Sequence, residues 1–226
     1  MDSFRICAVS ALIGRLNNAE QKYAPDQLYV AGQIPLPLLA PRVSIIGSRK
    51  ASSNGVYTAE TLAGFFAKRK VTVVSGLAEG IDTAAHNGAI AANGQTIAVI
   101  GTPLDKFYPA KNRKLQEFLM QKHLVISQFP IGYSVTPKNF VIRNRTMALI
   151  SNATIIVEAK DGSGSLHQGW EALRLGRPLF IRSALLRDSS LTWIKDLTHY
   201  GAVLFTDPEE ILGELPFKRQ LLEVSQ

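Results

Sequence analysis

The chain has 226 residues, 46% of them hydrophobic, and carries 25 Lys and Arg against 18 Asp and Glu, a formal charge of +7. This length and balance fit one large globular α/β domain and exclude a disordered or fibrous chain, and the positive excess favours a polyanionic partner over a surface charged only for solubility. A single cysteine, Cys7, excludes an intrachain disulfide and argues against structural zinc.

Residues 1–40 read as an N-terminal extension packed on the core, in which Leu28–Gly32 is a short strand and Pro35–Pro37 a connection. It opens with no positive region followed by a long apolar core, and no apolar run in the chain reaches the ~18 residues of a membrane helix. A soluble cytoplasmic protein without membrane contact is the expectation. From residue 42 a regular pattern begins. Apolar runs rich in Val and Ile fall at Val43–Ile46, Val71–Val74, Thr96–Ile100, Leu124–Ile126, Ala153–Val157 and Pro178–Ile181, and most are separated by segments of helical periodicity. Continuous apolar strands alternating with helices predict a doubly wound α/β fold: a mostly parallel sheet with helices on both faces and its ligand site at the carboxyl ends of the strands. A last strand at Ala202–Phe205 and a helix capped by Asp207, with Pro208 in its first turn, close a single domain spanning 41–215; 216–226 is a C-terminal tail.

The strand ends collect the chemistry. The first ends in Gly47, Ser48 and Arg49, and Ser52, Ser53, Asn54 and Gly55 then open a helix. Glycine lets the backbone approach a ligand, a helix N-terminus presents unpaired N–H groups to a phosphate, and arginine adds a planar fork of donors. No dinucleotide fingerprint or P-loop lysine motif is present. A plain turn carrying a surface arginine is the competing reading. The second strand ends in Ser75 and Gly76, the third in Gly101, and the fifth runs into Gly162, Ser163, Gly164, Ser165 and Leu166. That last loop precedes a helix over Leu166–Leu175, so it serves either as a second phosphate cradle or as a serine N-cap. Four such loops at the ends of one sheet exceed what turn chemistry requires.

Between Lys106 and Arg145 lie eight basic residues and one acid, Glu117, interleaved with Phe107, Tyr108, Phe118, Phe129, Tyr133 and Phe140. Cations that follow a backbone beside rings that accept bases suit a single-stranded nucleic acid. Lys111, Lys138, Asn139 and Phe140 belong to this stretch. Arg143 and Arg145 follow at the start of a helix, about 200° apart around it, so one at most faces the sheet edge; the other is expected to pair with an acid such as Glu158. Asp82 and His86 share a helix face, where a structural hydrogen bond is the expectation because no third partner makes a catalytic or metal group. His123, His167 and His199 show no ligand spacing. No catalytic, metal or cofactor residue is assigned.

Together these motifs resemble the DNA-processing protein A family (DprA, also called Smf). The resemblance rests on Val-Ser-Ile-Ile-Gly47-Ser48-Arg49, Ser75-Gly76-Leu77-Ala78-Glu79-Gly80-Ile81-Asp82, Thr96-Ile-Ala-Val-Ile-Gly101-Thr102, Tyr108-Pro109-Ala-Lys111-Asn112, Arg143-Asn144-Arg145 and Ser163-Gly164-Ser165-Leu166, and runs from about Tyr23 to Phe180. It implies an extended Rossmann fold that binds single-stranded DNA without chemistry on it, protects strands in natural transformation, helps load a RecA-type recombinase and self-associates as a homodimer. It makes Arg49 the leading phosphate or base contact, gives Lys138 and Phe140 backbone and stacking roles, and completes the pocket with the Ser75-Gly76 and Gly162–Leu166 loops. The chain departs from the pattern in lacking the long N-terminal helical domain and an evident winged helix, and in reading His167-Gln168-Gly169-Trp170-Glu171 where a small-residue run such as Thr-Ala is expected. The truncation leaves room for phage-related or other DNA metabolism. Two rival readings use the same pocket: a nucleoside-monophosphate phosphoribohydrolase, for which Glu171 would be the acid, and a small-nucleotide-binding protein.

Overall fold

A computed structural model describes residues 4–217; of the expected tail, positions 218–226 lie outside the described residues. The elements run β1 (Arg5–Cys7), α1 (Val9–Ile13), α2 (Asn18–Tyr23), β2 (Leu28–Gly32), β3 (Arg42–Gly47), α3 (Ser53–Lys68), β4 (Thr72–Ser75), α4 (Ile81–Ala91), β5 (Thr96–Ile100), α5 (Arg113–Lys122) and β6 (Leu124–Ser127). They continue with α6 (Pro137–Ile150), β7 (Ala153–Glu158), α7 (Gly164–Arg174), β8 (Leu179–Arg182), α8 (Trp193–His199), β9 (Val203–Phe205) and α9 (Pro208–Gly213).

All the strands join one sheet in the order β1-β2-β6-β5-β4-β3-β7-β8-β9. The strands from β6 to β9 are parallel, as the unbroken apolar runs predict, while β1 and β2 add antiparallel pairs at one edge, with Tyr29 opposite Ser127. The N-terminal segment therefore builds two strands of the sheet itself. Leu28–Gly32 is legible in the sequence as a strand, but β1 is too short for any periodicity to show. Further along the same segment, Glu20 of α2 meets Arg177 at 2.6 Å with both side chains largely out of solvent.

Alternation along the strands sorts the core. Val43 and Ile45 of β3, with Ala153, Ile155 and Val157 of β7, face α3, α4 and α9; Ile46 and Ile156 face α6, α7 and α8. Ser44 and Thr154 share the second face, and their hydroxyls meet at 2.9 Å. Because β3 connects onward to β4 on one side and β7 to β8 on the other, these adjacent strands mark the topological switch point, where a doubly wound sheet opens a crevice at its carboxyl edge.

Inside α4, Asp82 and His86 do not form the expected pair. His86 Nδ1 lies 2.7 Å from the Thr96 hydroxyl, whose own partner is the Val73 carbonyl, because α4 packs its small-residue face onto β4 and β5. Burial holds the His86 pKa down to about 3. With the folded pKa below the unfolded ~6.5, the unfolded chain binds the extra proton, so the contribution to stability is complete above about pH 6.5 and is lost as the pH falls towards 3. The unfolding free energy of the wild type from urea titrations should drop more steeply between pH 6.5 and 4.5 than that of His86→Gln, by at most ~1.4 kcal/mol per pH unit.

Candidate nucleic-acid interface

Gly47 ends β3 where the strand must pass close to β7: a Cβ there would lie 2.5 Å from the Glu158 carbonyl oxygen. The Ser48 N–H donates to that same carbonyl at 2.7 Å, and the Ser48 carbonyl accepts from the Ile81 N–H at 3.2 Å. The ends of β3 and β7 and the start of α4 are thus fixed to one another, leaving Arg49 and Lys50 exposed on the turn. The N-terminus of α3, expected to be an open anion site, is filled from within. The Glu158 carboxylate accepts the Ser52 N–H at 2.9 Å and the Ser52 hydroxyl at 2.5 Å, while Ser52 itself caps the Gly55 N–H. A carboxylate at the positive end of a helix takes the place a phosphate would occupy.

Across the crevice, α7 starts openly. The Ser163 hydroxyl lies 2.7 Å from that of Ser165 and caps its N–H at 3.4 Å, so the serine N-cap is real; yet Gly164 is exposed, and nothing lies within 4 Å of where its Cβ would stand. Gly162, at φ +73°, makes the turn before it. Cap and cradle are therefore compatible in this loop. A cavity of about 690 Å³ lies between the two halves, lined by Gly47, Ser48, Arg49 and Lys50 on one side and by Lys160, Ser163, Gly164 and Ser165 on the other.

Helix α6 forms the third wall and begins earlier than predicted, with Pro137 in its first turn. Phe140 lies on the helix, against Gly101, where a Cβ would stand 2.7 Å from the ring. The Arg49 guanidinium sits 5.6 Å from the Phe140 centroid, and the centroid of the exposed Tyr108 ring lies 5.1 Å from that of Phe140. A narrower recess of about 60 Å³ continues from the cavity past these rings towards Gly76 and Pro109.

Arg143 reaches the sheet edge, but as a buried pillar and not as an open contact. Its guanidinium donates to the Gly76 carbonyl, to the Val99 carbonyl at 2.8 Å and to Asn144 Oδ1 at 3.0 Å. Burial pushes its pKa down, and the nearby Asp82 carboxylate opposes that shift. Burial likewise pushes Asp82 up, opposed first by Arg143 and then by the Ala78 N–H. Arg145 pairs with Glu171 at 3.0 Å, not with Glu158, because α6 packs on α7 and Glu158 is engaged at α3.

Other sequence-derived residues lie apart from the cavity lining. The buried Ser75 hydroxyl donates to the Ile45 carbonyl at 2.7 Å, and Lys111 meets Glu79 at 2.7 Å. Asn139 is buried and accepts from the Thr136 hydroxyl at 2.8 Å, while Leu166 is core. Lys138 is exposed on the first turn of α6, near Phe140 in sequence. Tyr108, Lys50, Lys160 and Gln168 contribute to the lining although the sequence reading does not place them there. Lys50 and Lys160 sit just beyond strand ends, a position that could have identified them.

A family profile for DNA recombination-mediator protein A matches residues 14–216. The DNA processing protein DprA of Streptococcus pneumoniae is 38% identical over 194 residues, covering 86% of this chain and 68% of the relative. The chain spans about half the length of other relatives it matches, such as Protein Smf of Escherichia coli (34% identical, 85% of this chain and 52% of the relative). Among solved structures, that of the S. pneumoniae protein superposes with a TM-score of 0.81 at 34% identity over 95% of this chain and 75% of that one. DNA processing protein A of Helicobacter pylori, whose structure was described for its single-stranded DNA binding mode, gives 0.76 at 25% identity over 94% of this chain and 95% of that one.

Proposed function

The chain belongs to the DNA recombination-mediator protein A family, and from that premise we propose that the trough at the carboxyl edge of its sheet binds single-stranded DNA without chemistry on it. The observation that carries this reading is the Arg49–Phe140–Tyr108 cluster beside the open start of α7. Unpaired DNA needs rings for its bases and donors for its phosphates within one nucleotide of each other, and this edge supplies both. The finer roles proposed are protection of single strands and assistance to a RecA-type recombinase, in DNA uptake or in other recombination, by a cytoplasmic homodimer. The family's description as a recombination mediator supports the recombination role.

The phosphoribohydrolase reading requires a free acid beside the cavity. Glu171, its candidate, is held between Arg145 and Arg174 and does not line the cavity. A salt titration with labelled single-stranded and duplex oligonucleotides decides between them. Single strands should bind more tightly, with log K falling by ~0.7 per neutralised phosphate as log salt rises, and adenosine monophosphate should stay intact. Absence of DNA binding together with release of adenine would overturn the reading in favour of the hydrolase.

A further inference from the structure

We infer that Gln168 is a base-reading residue: one nucleobase of the bound strand enters the cavity and donates an edge N–H to its side-chain carbonyl. This rests on the trough being a single-stranded DNA site and adds what that site recognises.

The cavity is chemically divided. Its rim carries Arg49, Lys50, Lys160 and the α7 start, all suited to phosphate, whereas its buried lining combines Ile46, Met147 and Gln168, each no more than 2% exposed, with Asp82, Arg143 and Asn144, which are hydrogen-bonded within the protein. Pressing a phosphate onto Ile46 and Met147 would strip its water without replacing it, so that part of the floor fits an apolar ring. Planar bases bury well against such side chains, and methionine adapts to them.

Within that floor, Gln168 is held from one side only. Its amide nitrogen donates to the Ser44 hydroxyl at 2.9 Å, and Ser44 meets the Thr154 hydroxyl at 2.9 Å, which fixes the side chain against β3 and β7. Its Oε1 is out of solvent and has no hydrogen-bond partner. A buried carbonyl without a donor is unfavourable and is the natural receiver of a donor from a ligand. Gln168 also lies four residues into α7 from Gly164, on the same helix face and about 6 Å along the axis. A nucleotide with its phosphate at the helix start would span that distance to place its base edge on Oε1. The position falls in the run where the chain departs from the small residues of the family pattern.

Thymine has a single N–H donor, at N3, and so isolates the contact. Binding of a thymidine homopolymer is compared with that of the same oligomer methylated at every N3, on wild type and on Gln168→Met. Wild type should bind the methylated strand about fivefold more weakly, the worth of one net hydrogen bond, and Gln168→Met should bind both alike. Equal binding of the two by wild type overturns the proposal and leaves the DNA-binding reading intact. A preference retained by Gln168→Met also overturns it, since the methyl group would then be excluded by shape alone. If Gln168→Met does not fold, Gln168→Asn, which keeps the amide but shortens its reach, is measured in its place with the same two expectations. If neither oligomer binds wild type, the DNA-binding reading itself fails and the base contact falls with it.

Discussion

Arg49→Ala should weaken binding of a single-stranded oligonucleotide by about five- to 150-fold at low salt, that is by ~1–3 kcal/mol, measured by fluorescence anisotropy. Arg49 is exposed, and among the described residues no carboxylate lies within ion-pairing distance of it. Phe140 restrains its guanidinium by a cation–π contact, so a phosphate would find it partly oriented and with little competition to displace. The variant loses a charge-assisted donor and one counterion-releasing charge, so the salt slope should become shallower by ~0.7. Arg49→Lys should restore the slope but only part of the affinity, since an ammonium lacks the fork and the flat face that lies over Phe140. An alanine variant that binds as wild type does, with an unchanged slope, would remove the trough from the account of this protein.

Arg143→Met should destabilise the fold by ~3–5 kcal/mol in urea unfolding, a far larger effect than that of Arg145→Ala, which should cost ~1 kcal/mol at most. The two arginines are two positions apart and chemically identical, yet their surroundings differ. Arg143 is 5% exposed and serves the Gly76 and Val99 carbonyls and Asn144 at once, beside the buried Asp82 carboxylate. Removing it strands those acceptors away from water and deprives Asp82 of its positive neighbour. Arg145 is about half exposed and shares Glu171 with Arg174, so the carboxylate keeps a positive partner without it. Arg143→Lys should rescue little, because a single ammonium cannot serve three acceptors placed for a planar fork. DNA binding by Arg143→Met should fall together with stability and should recover under stabilising conditions, whereas binding by Arg49→Ala should fall with stability unchanged. If Arg143→Met unfolded like wild type, the pillar role would be wrong.

What could be read without coordinates follows the periodicities. The parallel strands from β3 to β8 are largely buried on both faces, so they show as nearly continuous apolar runs, and the expected positions agree with β3 to β9 to within a residue or so at either end. The turn at Gly47–Arg49 and the loop at Gly162–Ser165 were legible for the same reason, since glycine and serine are concentrated where a parallel strand delivers the chain to a helix start. β1 was not legible, because three residues carry no period and its partner β2 lies more than 20 residues further on.

The chain by itself determined the fold class, the edge of the sheet where the glycine- and serine-rich turns gather, and the net positive charge, because these depend on local pattern and composition. Only the tertiary structure decided what each side chain does there. Glu158 fills the α3 start and Glu171 draws Arg145 away, while Arg143 sinks beneath the trough and Gln168 reaches its floor. Each of these outcomes depends on partners tens of residues distant that folding brings within a few ångströms, where burial and hydrogen bonding, not spacing along the chain, set whether a charge is free to meet a ligand.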